Sequence, residues 1–210
     1  MTPMSSWPRR SLPRMRQRGA TLIEILVTLV ILMVGLLGLV GVMVQSQRAQ
    51  LESYQRVQAL ALVQDMAARI SSNKAAATCY ELASFIGTGN ETVPDAAACA
   101  AGSAEQKARV TQDLTDWRDL LLGAAELSGS DKVGAVLGAR GCITKTTMPI
   151  LGASGLPGTP TTTDFYQISV AWQNSAPTAA PPSGVPCAQG QYGADDAARG
   201  AVSVAVQIGT

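Results

Sequence analysis

Between residues 20 and 44 the chain is a nearly unbroken apolar surface, and Glu24 is its one formal charge. Residues 25–44 give twenty uncharged positions in a row, about the number a helix needs to cross a hydrocarbon core. Glu24 stands four residues inside the apolar stretch. A carboxylate there is costly in lipid, which marks it as a functional group with a partner. No proline occurs between Pro13 and Pro94, so the helix is expected to run on through QSQRAQLESYQRVQALALVQDMAARISSN. In that second half Leu60, Val63, Met66, Ala67 and Ile70 form a helical stripe, while Arg48, Glu52, Arg56 and Gln64 keep other faces wet. Arg69 and Lys74 suit the C-terminal end of the dipole. From residue 20 to about residue 72 such a helix would be roughly 80 Å long.

The pattern then changes. Residues 75–102 are rich in alanine and read as a partly helical loop. A second helix is expected over about 103–127, with Ser103 as N-cap and Gln106 completing a capping box. Its stripe is Val110, Leu114, Trp117, Leu121 and Ala124, with Gln112, Asp116 and Asp119 opposite and Ser128-Gly129-Ser130 as its end. Three β-like segments follow at about 140–146, 164–173 and 200–208. In the second, Phe165, Gln167, Ser169, Ala171 and Gln173 alternate with Tyr166, Ile168, Val170 and Trp172; in the third, Val202, Val204, Val206 and Ile208 share one side. The implied class is α+β: a long N-terminal helical spine, then a head over residues 74–210 with a small antiparallel sheet laid against the helix near residues 60–70. The segments 149–163 and 175–192 hold most of the prolines and read as long surface loops, where partner contacts usually lie.

Charge gives the spine a direction. Arg9, Arg10, Arg14, Arg16 and Arg18 are five of the chain's sixteen basic residues, and residues 1–19 contain no acid. The remaining eleven basic residues face all fifteen acids, a net of −4 against +1 for the whole chain. The positive-inside rule keeps this leader cytoplasmic and sends the chain beyond residue 44 outward. A secretory signal has a shorter apolar core and a small-residue cleavage site. Here the run is longer and is followed by Gln45-Ser46-Gln47-Arg48. A plain signal anchor would explain the length but has no use for Glu24.

The four cysteines, Cys79, Cys99, Cys142 and Cys187, are an even number in an exported domain and read as disulfides. Of the three possible pairings, Cys79–Cys99 and Cys142–Cys187 are favoured: one closes a local excursion, the other ties an early strand to a late loop. A four-cysteine zinc site is disfavoured, because no C-x2-C knuckle is present. The chain has no histidine, which excludes a Ser-His-Asp triad, a Cys-His dyad and every histidine-metal site. There is no phosphate loop and no glycine-rich dinucleotide turn after a strand. Asp195-Asp196 is read as a solvated turn in preference to a calcium site. No face concentrates lysine or arginine, so nucleic acid has no electrostatic footprint. No metal, cofactor or enzymatic activity is expected.

The hexapeptide Gly19-Ala20-Thr21-Leu22-Ile23-Glu24, set after a basic leader, resembles the type IV prepilin cleavage and methylation signal. The resemblance implies cleavage after Gly19 by prepilin peptidase, N-methylation of the new amine on Ala20 by the same enzyme, and pairing of Glu24 with the N-terminal amine of a neighbouring subunit. It divides the chain into a cleaved leader (1–19), a transmembrane and filament-core half-helix (20–44), an amphipathic half-helix carrying the head (45–73) and the disulfide-containing head (74–210). Gly35, Gly38 and Gly41 then have two readings: close helix packing in the membrane, or a weak patch that unwinds when the subunit leaves lipid for the filament.

The run LVTLVILMVGLLGL, with the later Gly141-Cys142 and 166–172 segments, is most similar to minor pilins of the PilV kind. That likeness implies a structural subunit in an assembly-priming or tip complex, supporting pilus biogenesis, twitching motility and adhesion. Its partners would be other minor pilins, major pilins and the inner-membrane assembly platform. The chain would span the inner membrane once, with its head in the periplasm, before joining a surface filament. The motif covers only about the first quarter of the chain. Type II secretion pseudopilins share it, and an exported binding protein or enzyme using the helix only as an anchor is the third reading.

Overall fold

The structure, a computed structural model, describes residues 19, 21–124, 127–128, 131–132, 136–150, 161–193 and 195–208. The leader residues 1–18, the expected methylation position Ala20, and most of the 149–163 loop lie outside the described residues. So do Gly129 and Ser130 of the expected helix stop.

Helix α1 spans Leu22–Ser72, 51 residues. The chain divides into two compact units, residues 1–46 and 47–210. In the first, every described residue is exposed, and the most apolar eighteen-residue window of the helix has none of its surface buried. This length and composition suffice to cross a membrane. Gly35, Gly38 and Gly41 do not interrupt the helix, and a Cβ on any of them would meet nothing within 4 Å. Among the described residues no contact requires these glycines.

In the second unit α1 buries Ala59, Val63, Met66 and Ile70. The observed stripe starts one residue earlier than the pattern suggested: Leu60 is 36% exposed and Ala59 is fully buried in its place. The helix ends at Asn73, whose N–H donates to the Ile70 carbonyl at 3.1 Å while its backbone leaves the helical region. A 3₁₀ segment, Lys74–Tyr80, follows.

Helix α2 spans Ala104–Leu121. Its capping box is present, with the Ser103 hydroxyl accepting from the Gln106 N–H and the Gln106 side chain accepting from the Ser103 N–H. It stops six residues before the expected end. Gly123 takes a left-handed conformation (φ 91°), the Ala124 N–H reaches back to the Asp119 carbonyl at 2.9 Å, and the Gly123 N–H reaches Leu120 at 3.0 Å. These bonds satisfy the last carbonyls and terminate the helix.

Strands β1 (Ile86–Gly87), β4 (Arg140–Ile150), β5 (Thr161–Gln173) and β6 (Arg199–Ile208) form one antiparallel sheet in the order β1-β4-β5-β6. A separate small hairpin pairs β2 (Leu127–Ser128) with β3 (Asp131–Lys132), where the pattern had suggested the end of α2 and its stop. β4 and β5 are longer than expected because their pairing runs on to Ile150↔Thr161. The long apolar helix followed by a four-stranded antiparallel sheet is a type IV pilin-like α+β fold.

One face of the sheet packs Ile143, Tyr166, Ile168, Val170 and Trp172 into a core shared with α1 and α2. The β6 residues Val202, Val204 and Val206 lie against it, and Ile208 is buried within it. Trp117 of α2 is fully buried and donates its indole N–H to the Leu62 carbonyl at 2.9 Å. Its ring lies so close to Gly141 that a Cβ there would sit 2.5 Å from the ring edge. The other sheet face is not left bare. Ala171, Cys187, Ala188 and Tyr192 form a second small core, with Cys142, Phe85, Ala198 and Ala201 packed around it.

Candidate functional site

The first turn of α1 is built from the hexapeptide itself. Thr21 precedes the helix, and its carbonyl accepts from the N–H of Glu24 (3.0 Å) and of Ile25 (3.3 Å). The Thr21 hydroxyl also accepts from the Glu24 N–H at 3.4 Å. Thr21-Leu22-Ile23-Glu24 is therefore the T-x-x-E pattern of a helix start, a local signal the hydrophobic pattern had obscured. An acid in the first turn also suits the positive end of the helix dipole. Among the described residues the Glu24 side chain is exposed and makes no ion pair. Gly19 is exposed as well, and a Cβ there would meet nothing within 4 Å. The structure thus places Glu24 in the exposed first turn of α1, just ahead of the exposed apolar run through Leu29 and Ile31.

The head is held to its own stretch of α1 by a polar cluster. Arg69 bonds Asp65 at 2.8 Å, Asp113 at 3.1 Å and Asp116 at 3.3 Å. Asp113 is 2% exposed; it also accepts from the Tyr80 hydroxyl at 2.6 Å and pairs with Arg109 at 3.4 Å. Asn73 donates to the Tyr80 hydroxyl at 3.3 Å and to the Gln106 carbonyl at 3.0 Å. Burial pulls Arg69 down, but its bonds to Asp65, Asp113 and Asp116 hold it above its ordinary value. Burial, helped by the bond to Asp113, pushes the Tyr80 phenol well above the usual tyrosine range. Sequence reasoning missed Asp113 altogether. Its one local signal is the Arg109–Asp113 spacing of four on a helix.

Both disulfides are formed. Cys79 and Cys99 are joined with Cα atoms 5.7 Å apart, as are Cys142 and Cys187. The second fastens the loop after β5 across the outer sheet face. That loop was expected to be mainly a partner surface, yet part of it is internal. The Tyr192 hydroxyl, with one proton to donate, lies within hydrogen-bond reach of the carbonyls of Gly138 (2.7 Å) and Ala171 (3.1 Å), and its ring lies 4.5 Å from the Arg140 guanidinium. Burial raises the Tyr192 phenol above its ordinary value. Asp196 is likewise occupied: it accepts from the Gly190 N–H at 2.7 Å and pairs with buried Arg199 at 3.2 Å. Among the described residues no group of three or more histidine, cysteine, aspartate or glutamate side chains is placed to hold a metal.

Residues 14–40 match the family model described as the prokaryotic N-terminal methylation motif. No curated protein and no solved structure matches the chain. The matched span contains the arginine-rich end of the leader, Gly19, Ala20, Glu24 and most of the exposed apolar half of α1. Together with the fold, it supports a type IV prepilin-like protein, of the pilin or pseudopilin type.

Proposed function

We propose that the chain is a minor pilin: a structural subunit of a type IV pilus, acting in the complex that primes or caps the filament. The observation that carries this reading is the division of α1. The apolar half-helix, most of it inside the matched methylation motif, is exposed at every described residue, while the second half of the same helix seats a disulfide-bonded head. The uncovered half needs lipid before assembly and neighbouring helices after it. On this reading prepilin peptidase cleaves after Gly19 and methylates the amine of Ala20. The cytoplasmic leader is lost, and the head faces the periplasm and then the filament surface.

Glu24 supplies the register. An unpaired carboxylate inside an apolar filament core is strongly disfavoured, so an incoming subunit settles where Glu24 meets the Ala20 amine of its neighbour. The test is Glu24→Ala, followed in sheared filaments and in the membrane fraction. Leader cleavage is expected to persist and incorporation to be lost; normal incorporation would overturn this role. Deleting the gene separates the two filament systems. Loss of surface pili and twitching supports the pilus, and loss of exoprotein secretion with intact pili would assign the chain to a secretion pseudopilus instead.

A further inference from the structure

The outer sheet face carries a cleft of about 310 Å³ lined by residues 82–85, by β4 and β5, and by the loop around Cys187. None of the lining side chains bears a formal charge. Its polar groups are Ser84, Thr144, Gln167, Ser169, Gln189 and Gln191, Phe85 contributes an aromatic ring, and the Cys142–Cys187 disulfide also lines it. Gln167 is fixed by a bond from its amide to the Gly184 carbonyl at 2.9 Å. Among the described residues the side-chain carboxamides of Gln189 and Gln191 and the Ser84 hydroxyl have no protein partner. The backbone around the two glutamines is unusual: Ala188 (φ 53°), just before Gln189, and Gly190 (φ 75°), between the two, both lie in the left-handed region. A non-glycine residue there is uncommon, and such outliers gather where a ligand is held.

We propose that this cleft binds a neutral saccharide. A carboxamide presents a donor and an acceptor side by side, which matches the donor-acceptor character of adjacent sugar hydroxyls. An aromatic ring beside such groups offers its flat surface to the apolar face of a pyranose. The absence of charge disfavours acidic sugars, phosphates and ionic peptides. Arg140, whose guanidinium stacks on Phe85 at 5.2 Å and on Tyr192, does not line the cleft. Strand addition by a peptide on β5 is also disfavoured, because that strand is already paired on both sides. The volume is at the lower end of small-ligand sites and suits one or two sugar rings.

The inference deepens the adhesive part of the proposed function and rests on that reading for its biological setting alone. Full-length protein in phospholipid nanodiscs, prepared without glycoside detergents, would be titrated with lactose, cellobiose and diacetylchitobiose by saturation-transfer NMR. Sialyllactose and a heparin disaccharide serve as charged controls. At least one neutral disaccharide is expected to bind saturably. Replacing Gln189 and Gln191 together by alanine should weaken it at least about tenfold, the effect of two lost hydrogen bonds between neutral groups, with unfolding temperature unchanged. Ser84→Asp, which brings a charge into the cleft, should weaken it further. Binding of the charged controls alone, binding of none of the neutral sugars, or equal binding by the variants would overturn the proposal. Saccharide binding by a chain that keeps its leader in the native membrane would retain the site and remove the pilin reading.

Discussion

Asp113 is the residue on which the attachment of the head depends most, and its replacement by alanine gives a calculable loss. It is 2% exposed and receives the Tyr80 hydroxyl at 2.6 Å and Arg69 at 3.1 Å. A buried hydrogen bond to a charged group is worth about 1.5–3 kcal/mol, and a buried donor left without an acceptor costs about 1–3 kcal/mol. Arg69 keeps Asp65 and Asp116, so the loss stays at the lower end of the about 3–5 kcal/mol penalty for a broken buried pair. The expected cost is about 3 kcal/mol. For a domain of this size that lowers Tm by about 6–12 °C. The assay is thermal unfolding of the full chain in nanodiscs, followed by near-ultraviolet circular dichroism, for wild type, Asp113→Ala, Tyr80→Phe and the double variant. Coupling between the two positions should exceed about 1 kcal/mol, since each removes the other's partner. A loss below about 1 kcal/mol for Asp113→Ala, or additive single losses, would refute the reasoning.

Other consequences stem from close packing, cross-links and charge. Gly141→Ala drives a Cβ to 2.5 Å from the Trp117 ring and 2.8 Å from Leu121, and should destabilise the head by about 1–3 kcal/mol or more, read as a lowered denaturant midpoint. An unchanged midpoint would mean the ring is free to move. The Cys142–Cys187 bridge spans 45 residues and Cys79–Cys99 spans 20, so loop entropy assigns them about 4 and about 3 kcal/mol. Cysteine-to-serine pairs should rank in that order, and only the first should increase proteolysis between Ser175 and Tyr192. The Lys145–Asp164 pair, 2.8 Å apart, gives a pH signature. Bonds from Lys145 and then Thr147 hold Asp164 below its ordinary value, so its contribution is present above about pH 4 and is lost on acidification. The bond to Asp164 raises Lys145, so its contribution is present below the ordinary lysine value and is lost as pH rises past it. Asp164→Asn should flatten both limbs in a Tm-versus-pH series.

The sequence was most readable where structure is set by near neighbours. The apolar run, the Ser103–Gln106 cap and the alternation of β5 each depend on residues within a few positions of one another, and each is present in the structure. It was least readable where distant residues decide. Asp113 looks like one more polar helix residue until Arg69, 44 positions earlier, and Tyr80 are brought to it. Leu60 outweighs Ala59 in any hydrophobic pattern, yet the fully buried position is the small one. The end of α2 was misplaced because Ala124 continues the apolar stripe, whereas Gly123 admits the left-handed turn that closes the helix. Alternation in β5 implied one covered face. Ser169 and Ala171 on the other face are buried because the Cys187 loop is fastened over them. At the N-terminus the pattern supplied Gly19 and Glu24, but the helix-starting role of Thr21 emerged only from the hydrogen bonds of the first turn.

On the proposed reading, prepilin processing cuts this chain between Gly19 and Ala20. Intact mass and N-terminal sequencing of the protein extracted from its native membrane test it most directly. The expected result is a chain beginning at Ala20 with one methyl group on its amine. A chain that still carries the five leader arginines would contradict it and leave α1 as a simple anchor for the head.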